Sequence, residues 1–172
     1  MAVRFGVVGT GNIGSQHIQL LNSGKVAGAT VAATASRSTP DLVTGVPHFV
    51  DYRQMFSDAD INAVLIATPT MSHVEVAQAA LEHNFHVVME KPIAMSIHQA
   101  ETLLARVPDD LKFAVMLNQR FHPAYAKLKQ LLVDDAIGSL QRVSWTMTAW
   151  YRPDIYYQVS SWRGTWPGEG GG

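Results

Sequence analysis

The stretch Val3-Arg4-Phe5-Gly6-Val7-Val8-Gly9-Thr10-Gly11-Asn12-Ile13-Gly14 decides how the rest of the chain is read. Phe5 to Val8 is a short apolar run, the pattern of a buried strand, and it ends in a G-x-G-x-x-G. Ser15 to Asn22 carries neither Pro nor Gly, and Ile13, His17, Leu20 and Leu21 fall on one side of a helix. The glycines therefore stand where a strand turns into a helix. Gly9 allows the tight turn, Gly11 lets a pyrophosphate approach the backbone, and Gly14 lets helix and strand pack closely. The helix N-terminus adds free N–H groups and a partial positive charge. On this reading Gly9, Thr10, Gly11, Asn12, Ile13 and Gly14 bind a dinucleotide. A purely structural glycine turn is the plainer alternative; strand before, helix after and a place at the chain start favour binding.

Hydrophobic residues make up 47% and charged residues 16% of 172 positions, enough for one packed domain and part of another. Thirteen Lys and Arg stand against 14 Asp and Glu, a formal net charge of −1. That balance offers no electrostatic case for nucleic acid or for an anionic membrane surface. The chain has no cysteine, so it has no disulfide frame, no thiolate nucleophile and no cysteine-ligated metal. The sequence enters its first strand almost at once, with no signal peptide pattern and no apolar run long enough for a bilayer; a cytoplasmic protein is expected.

Ala29 to Ala35 reads as a second buried strand, followed by Ser36-Arg37-Ser38. In NAD-binding domains an acid about 20 positions beyond the glycines binds the adenosine ribose hydroxyls. Here the first acid after that strand is Asp41, and a hydroxyl and a guanidinium occupy the expected place. Arginine suits a phosphate, and no carboxylate is there to repel it, so Ser36 and Arg37 are expected to select NADP over NAD. The alternative is an Arg37 that only stacks on the adenine or faces solvent.

Further along, Thr39 to Val50 reads as a loop with a short strand at His48 to Val50, and Asp51 is placed to cap a brief helix. Ala63 to Ala67, Phe85 to Met89 and Lys112 to Leu117 read as parallel strands. Between them the pattern predicts helices at Ser72 to His83, with Val74, Ala77 and Leu81 inward, and after a Ser96 cap, with Ile97, Ala100 and Leu104 inward. This alternation predicts an α/β fold, a Rossmann-type parallel sheet with helices on both faces. Ligands of such sheets bind at the carboxyl ends of the strands. The unusual polar groups fall there repeatedly: the glycine turn, Ser36-Arg37, Thr68-Pro69, Glu90-Lys91-Pro92 and Asn118-Gln119-Arg120. A central strand end fixed by Pro92 is also expected to bury Lys91. After Phe121-His122-Pro123 the style changes. Ala124 to Val133 reads as a helix with Tyr125, Leu128 and Leu132 inward, and Leu140 to Ala149 alternates like a half-buried strand of an open antiparallel sheet. The chain thus divides into residues 1–120, a nucleotide-binding domain, and 121–172, the beginning of an α+β domain. His17, His48, His83, His86 and His98 show no metal-ligand spacing and read as structural, so no metal is expected.

The chain resembles the glucose–fructose oxidoreductase, inositol dehydrogenase and MocA (Gfo/Idh/MocA) family. The matching segments are Gly9-Thr-Gly-Asn-Ile-Gly14, Ala67-Thr-Pro-Thr-Met-Ser-His73, Met89-Glu-Lys-Pro-Ile-Ala94, Asn118-Gln-Arg-Phe-His-Pro123 and Ser161-Trp-Arg-Gly-Thr-Trp166. The resemblance implies an NAD(P)-dependent oxidoreductase that moves hydride between nicotinamide and a secondary alcohol or ketone of a sugar, cyclitol or related polyol. It implies Lys91 as the catalytic group on the reacting hydroxyl. It places Glu90 beside Lys91 or the cofactor, Thr68, Pro69 and His73 along the nicotinamide ribose, and Asn118 and Arg120 near nicotinamide and substrate. Trp162 and Arg163 would reach the cofactor, and Lys91-Pro92 is a candidate cis peptide. Dimers or tetramers of identical chains are expected. Family members carry a histidine for proton transfer beyond the triple glycine; here the sequence ends at Gly172, so it is expected to be part of a longer enzyme. A non-catalytic dinucleotide-binding module or redox sensor is the alternative.

Overall fold

The structure, a computed structural model, describes residues 2–37, 45–148, 151–158 and 162–169. The chain divides into two units, Met1–Met116 with Gly164–Gly172, and Leu117–Arg163. Among the described residues the first unit holds six strands: β1 (Val3–Val8), β2 (Ala29–Ala35), β3 (His48–Phe49), β4 (Ala63–Ile66), β5 (His86–Met89) and β6 (Phe113–Val115). All pairs are parallel, and the order across the sheet is β3-β2-β1-β4-β5-β6. That is the dinucleotide-binding order, with the chain winding outward in both directions from β1. The helices are α1 (Asn12–Asn22), α2 (Tyr52–Asp58), α3 (His73–Glu82) and α4 (Ile97–Leu104).

The apolar runs become strands buried on both faces, and each face has its own core. Val7, Val31 and Leu65 pack with Ile18 and Leu21 of α1. Val8, Ala33, Ala35, Val64, Ile66, Val87 and Met89 pack with α2, α3 and Leu103 of α4. In β1 and β4 the assignment alternates residue by residue, as the pleat requires. In β2 it switches parity, because the register with β1 slips between Phe5 and Gly6 and one residue of β2 is passed over. Asp51 caps α2 by accepting from the Arg53 amide at 2.9 Å, and Ser96 caps α4 by accepting from the Gln99 amide at 3.3 Å.

Two helix faces are phased differently from the sequence expectation. In α1 the buried residues are Gly14, Ile18 and Leu21, while Ile13 and Leu20 are exposed. The helix buries the row i, i+4, i+7 that begins at a glycine, and a glycine adds nothing to an apolar count. In α4 Leu103 is fully buried, whereas Ile97 and Leu104 are exposed. The helix has one neighbouring face to cover, and Leu103 is the residue whose phase meets it.

The second unit begins with a 3-10 turn at Asn118–Phe121 and continues into α5 (Pro123–Val133), with α6 at Asp154–Gln158. His122 caps α5, its Nδ1 accepting from the Ala124 amide at 3.3 Å. No residue of α5 is buried, so the expected inward face of Tyr125, Leu128 and Leu132 is only partly covered. Tyr125 stacks on Trp145 at 5.2 Å between ring centroids. The strand expected at Leu140 to Ala149 is absent from the described part, residues 140–148, where Val143, Trp145 and Met147 are exposed. Alternation supplies a face but no partner, and a lone strand has nothing to hydrogen-bond to. The short α7 (Trp166–Glu169) belongs to the first unit and lies against the 3-10 turn Thr70–Ser72. Among the described residues no helix is long and apolar enough to cross a membrane.

Candidate functional site

The glycine turn is built by close backbone approach. Gly9 sits at φ +90, and its amide donates to Ala35 O at 2.8 Å. A Cβ on Gly9 would lie 2.6 Å from Ala67 O, and one on Gly14 would lie 1.9 Å from Gly9 O. These two glycines serve the protein's own packing. Gly11 is different: it is the N-cap of α1, and nothing lies within 4 Å of where its Cβ would be. No side chain caps that end and no acid stands in the first turn. An open backbone, amides without a side-chain cap and the positive end of an eleven-residue helix suit an anion such as a pyrophosphate. Ser15 Oγ donates to Thr10 O at 2.9 Å and holds the turn from inside.

The end of β2 joins the same turn. Thr10 Oγ1 and Ser36 Oγ share a hydrogen bond of 2.6 Å, and the Ser36 amide donates to Phe49 O at 3.0 Å. Arg37 is exposed beside them. Asp41 lies outside the described residues.

The carboxyl ends of β4 and β5 are aligned with the turn by the ladder itself. Ala67 N donates to Val8 O at 2.8 Å, Glu90 N to Ile66 O at 2.9 Å, and Met116 N to Met89 O at 2.8 Å. Thr68 therefore follows β4 next to Gly9, and Lys91 follows β5 next to Thr68. Thr68 Oγ1 is buried with no hydrogen-bond partner. A buried hydroxyl of this kind normally has a partner, and a bound polar ligand would supply one. Together with the open Gly11 and the uncapped helix, it shows that the residues present fit a dinucleotide.

Lys91 is exposed at the strand end rather than buried, and the Lys91-Pro92 peptide is cis. Glu90 is half-buried and lies 2.8 Å from His17 Nε2 through Oε1, while Oε2 accepts from the Lys91 amide at 3.3 Å. Burial pushes the Glu90 carboxyl up, but the His17 hydrogen bond and charge, with the Lys91 amide and ammonium, hold it below its ordinary value overall. This stabilisation is present above the ordinary carboxylate value and is lost as pH falls through the lowered folded value. Wild type is expected to be more stable than Glu90→Gln at about pH 7, and thermal melts should show the margin shrink as pH falls below the ordinary carboxylate range.

The side chain of His73, expected along the nicotinamide ribose, is enclosed. It is 1% exposed; its Nδ1 lies 2.7 Å from Pro92 O and its Nε2 3.0 Å from Thr68 O. Carbonyl oxygens only accept, so a ring with one N–H donates to one of these two carbonyls, and only the doubly protonated ring donates to both. The structure thus brings together Gly9 to Gly14, Ser36, Arg37, Thr68, Pro69, Glu90 and Lys91 along one edge of the sheet, with His73 beneath it. Asn118, Arg120, Trp162 and Arg163 belong to the second unit. There Asn118 and Arg120 are exposed in the 3-10 turn. The Arg163 guanidinium lies over Tyr156 at 4.3 Å and over Trp162 at 5.5 Å. His17 is the residue the sequence reading missed: its only signal was a polar side chain three positions after Gly14 on a helix otherwise facing the sheet. Among the described residues no cluster of three His, Asp or Glu could hold a metal.

The profile of an oxidoreductase family with an NAD-binding Rossmann fold, GFO_IDH_MocA, matches residues 3–118. Inositol 2-dehydrogenase of Arthrobacter sp. (strain FB24) is 32% identical over 150 residues, covering 80% of this chain and 43% of that protein. The crystal structure of scyllo-inositol dehydrogenase from Lactobacillus casei, with bound NAD(H) and scyllo-inositol, superposes with a TM-score of 0.72 at 31% identity. It covers 80% of this chain and 43% of the other. The WlbA dehydrogenase from Bordetella pertussis, in complex with NADH and UDP-GlcNAcA, shares the fold at a TM-score of 0.83 and 24% identity, over 98% of this chain and 52% of the other. The chain spans about half the length of the curated relatives it matches.

Proposed function

The chain belongs to the Gfo/Idh/MocA oxidoreductases, a family with an NAD-binding Rossmann fold, and from this we propose that it is the coenzyme-binding part of a dehydrogenase or reductase. Its substrate is a secondary alcohol or the matching ketone of a cyclitol, sugar or related polyol. The observation that carries the reading is the 2.8 Å bond between His17 and Glu90. It joins the helix of the glycine turn to the residue next to Lys91, so the anion-binding amides and the lysine share one edge of the sheet. Relatives named for inositol, at 31–32% identity, make cyclitols the first substrate class to test.

The nicotinamide of a bound coenzyme supplies hydride transfer. The chain's own residues do the rest. The amides of the first turn of α1 hold the pyrophosphate, Gly11 leaves it room, and the Thr68 hydroxyl offers a polar contact at the nicotinamide end. The Lys91 ammonium donates a hydrogen bond to the reacting oxygen and stabilises alkoxide charge as it develops. Glu90 holds the lysine segment. Residues 1–120 form the coenzyme domain and residues 121–172 begin the substrate domain. Asn118 and Arg120, at the end of the first segment, and Trp162 and Arg163, in the second, add contacts to coenzyme or substrate, and the assembled enzyme is a homo-oligomer.

We also infer a preference for NADP. Ser36 bonds to Thr10 and so stays at the turn, while Arg37 stands exposed at the end of β2. A guanidinium there can take a ribose 2′-phosphate through charge-assisted bonds. Fluorescence titration of the full-length protein should show NADPH binding tighter than NADH. Arg37→Ala should narrow the ratio by about 10- to 100-fold, the range of one or two hydrogen bonds to a charged group. Equal affinities in wild type, or a ratio untouched by the substitution, would contradict this preference.

A further inference from the structure

We propose that His17 and His73 are positioning residues for Lys91, one acting on each of the lysine's chain neighbours. The inference rests on the reading above that Lys91 meets the reacting oxygen. The lysine side chain is exposed, and a flexible four-carbon stem cannot place its own ammonium. What the protein can fix is the backbone from which it springs.

Before the lysine stands Glu90. Its Oε1 is 2.8 Å from His17 Nε2, and its Oε2 accepts from the Lys91 amide at 3.3 Å. The two side chains are 13% and 17% exposed, so water competes little for the bond. After the lysine stands Pro92, which has no N–H to offer the sheet. Its carbonyl lies 2.7 Å from His73 Nδ1, and the other ring nitrogen lies 3.0 Å from Thr68 O. His17 rides on α1 and His73 on α3, helices that pack on opposite faces of the sheet. Each ring reaches the carboxyl edge from its own side, and Lys91 is the residue between them. A histidine does this where a lysine or arginine would not, because a rigid ring delivers an N–H at a fixed distance from a helix and is small enough to be enclosed. His17 also lies on the helix of the glycine turn, so the coenzyme's anchor and the lysine's anchor are one rigid piece.

The test uses the full-length protein with NADPH as the binding probe and with myo-inositol and NADP⁺ as the turnover probe. In His17→Leu, hydrogen exchange at the Lys91 amide should quicken by about tenfold or more, because its acceptor is no longer held. kcat should fall by about 10- to 100-fold, the usual cost of a loosened catalytic group. The NADPH dissociation constant should stay close to wild type, and the melting temperature at about pH 7 should fall as it does in Glu90→Gln, which loses the same bond. His17→Gln, whose amide can still donate to Glu90, should restore most of both losses. His73→Leu should act in the same direction. Its ring is fully enclosed, so if that variant does not fold the His17 pair decides. Unchanged exchange and unchanged kcat in His17→Leu would overturn the proposal, and so would a loss that His17→Gln repeats in full. Lys91→Ala separates the two levels: if it turns over normally, the role given to the lysine falls, while the exchange result still shows whether His17 holds the segment.

Discussion

Lys91→Ala in the full-length protein should lower kcat by about 10²- to 10⁴-fold, the range for a lost proton-handling or charge-stabilising group. The coenzyme dissociation constant should move by no more than about threefold, since the lysine's contribution is made in the transition state. The expectation follows from position. Lys91 is the second residue after β5, next to Thr68 and the glycine turn along the sheet edge, and its side chain is exposed. Pure dinucleotide binding does not need a cation at the nicotinamide end. Lys91→Arg distinguishes two roles. A guanidinium keeps the charge but does not release its proton. If Arg restores turnover, the lysine acts by charge alone; if Arg is as poor as Ala, the lysine handles the proton. A Lys91→Ala enzyme with normal turnover removes the residue from the chemistry, and the non-catalytic dinucleotide module becomes the better account.

The sheet was legible because its central strands β4 and β5 are short, mostly apolar runs bounded by polar residues. Ala29–Ala35 has the bounds expected, and Ala63–Ile66 and His86–Met89 differ by one residue. The caps were legible too, since Asp51 and Ser96 stand directly before their helices and make the bonds that residue type predicts. Helix phase was less legible. Gly14 lies against the Gly9 backbone on the buried face of α1, yet it carries no apolar side chain to reveal which face turns inward. Leu103 and Leu104 are adjacent and chemically identical, and only the neighbours that α4 packs against, α3 among them, decide which is buried. The candidate site divides the same way. Residues at strand ends were found because topology sends them to one edge. His17 was read as structural and His73 was expected along the cofactor, because no local pattern reveals a hydrogen bond to a segment distant in sequence, Glu90 in one case and Pro92 in the other. In the second unit the alternation at 140–148 was read as a strand, but alternation specifies a face and not the neighbour that would pair with it.

The glycine turn gives a second large and separable effect, because its three glycines are needed for different reasons. Gly14→Ala places a methyl 1.9 Å from the Gly9 carbonyl oxygen. Both partners are backbone, held by the β1 ladder and the first turn of α1, so no side chain can swing aside. The cost should be at the upper end of overpacking, about 3 kcal/mol or more, and circular dichroism melts should show it with no coenzyme present. Gly11→Ala meets nothing within 4 Å, and its φ of −66 is one that alanine adopts readily. Its stability should fall by no more than about 1 kcal/mol, the difference between glycine and alanine at an N-cap. Its coenzyme affinity should fall by about 10- to 200-fold, because the methyl occupies the space a pyrophosphate needs. The two substitutions are three residues apart in one motif, yet one should strike the fold and the other the ligand. A Gly11→Ala protein that binds NADPH and NADH as tightly as wild type would show that the pyrophosphate lies elsewhere. The anion site would then have to be sought away from α1, and Thr68 would lose the ligand proposed for its buried hydroxyl.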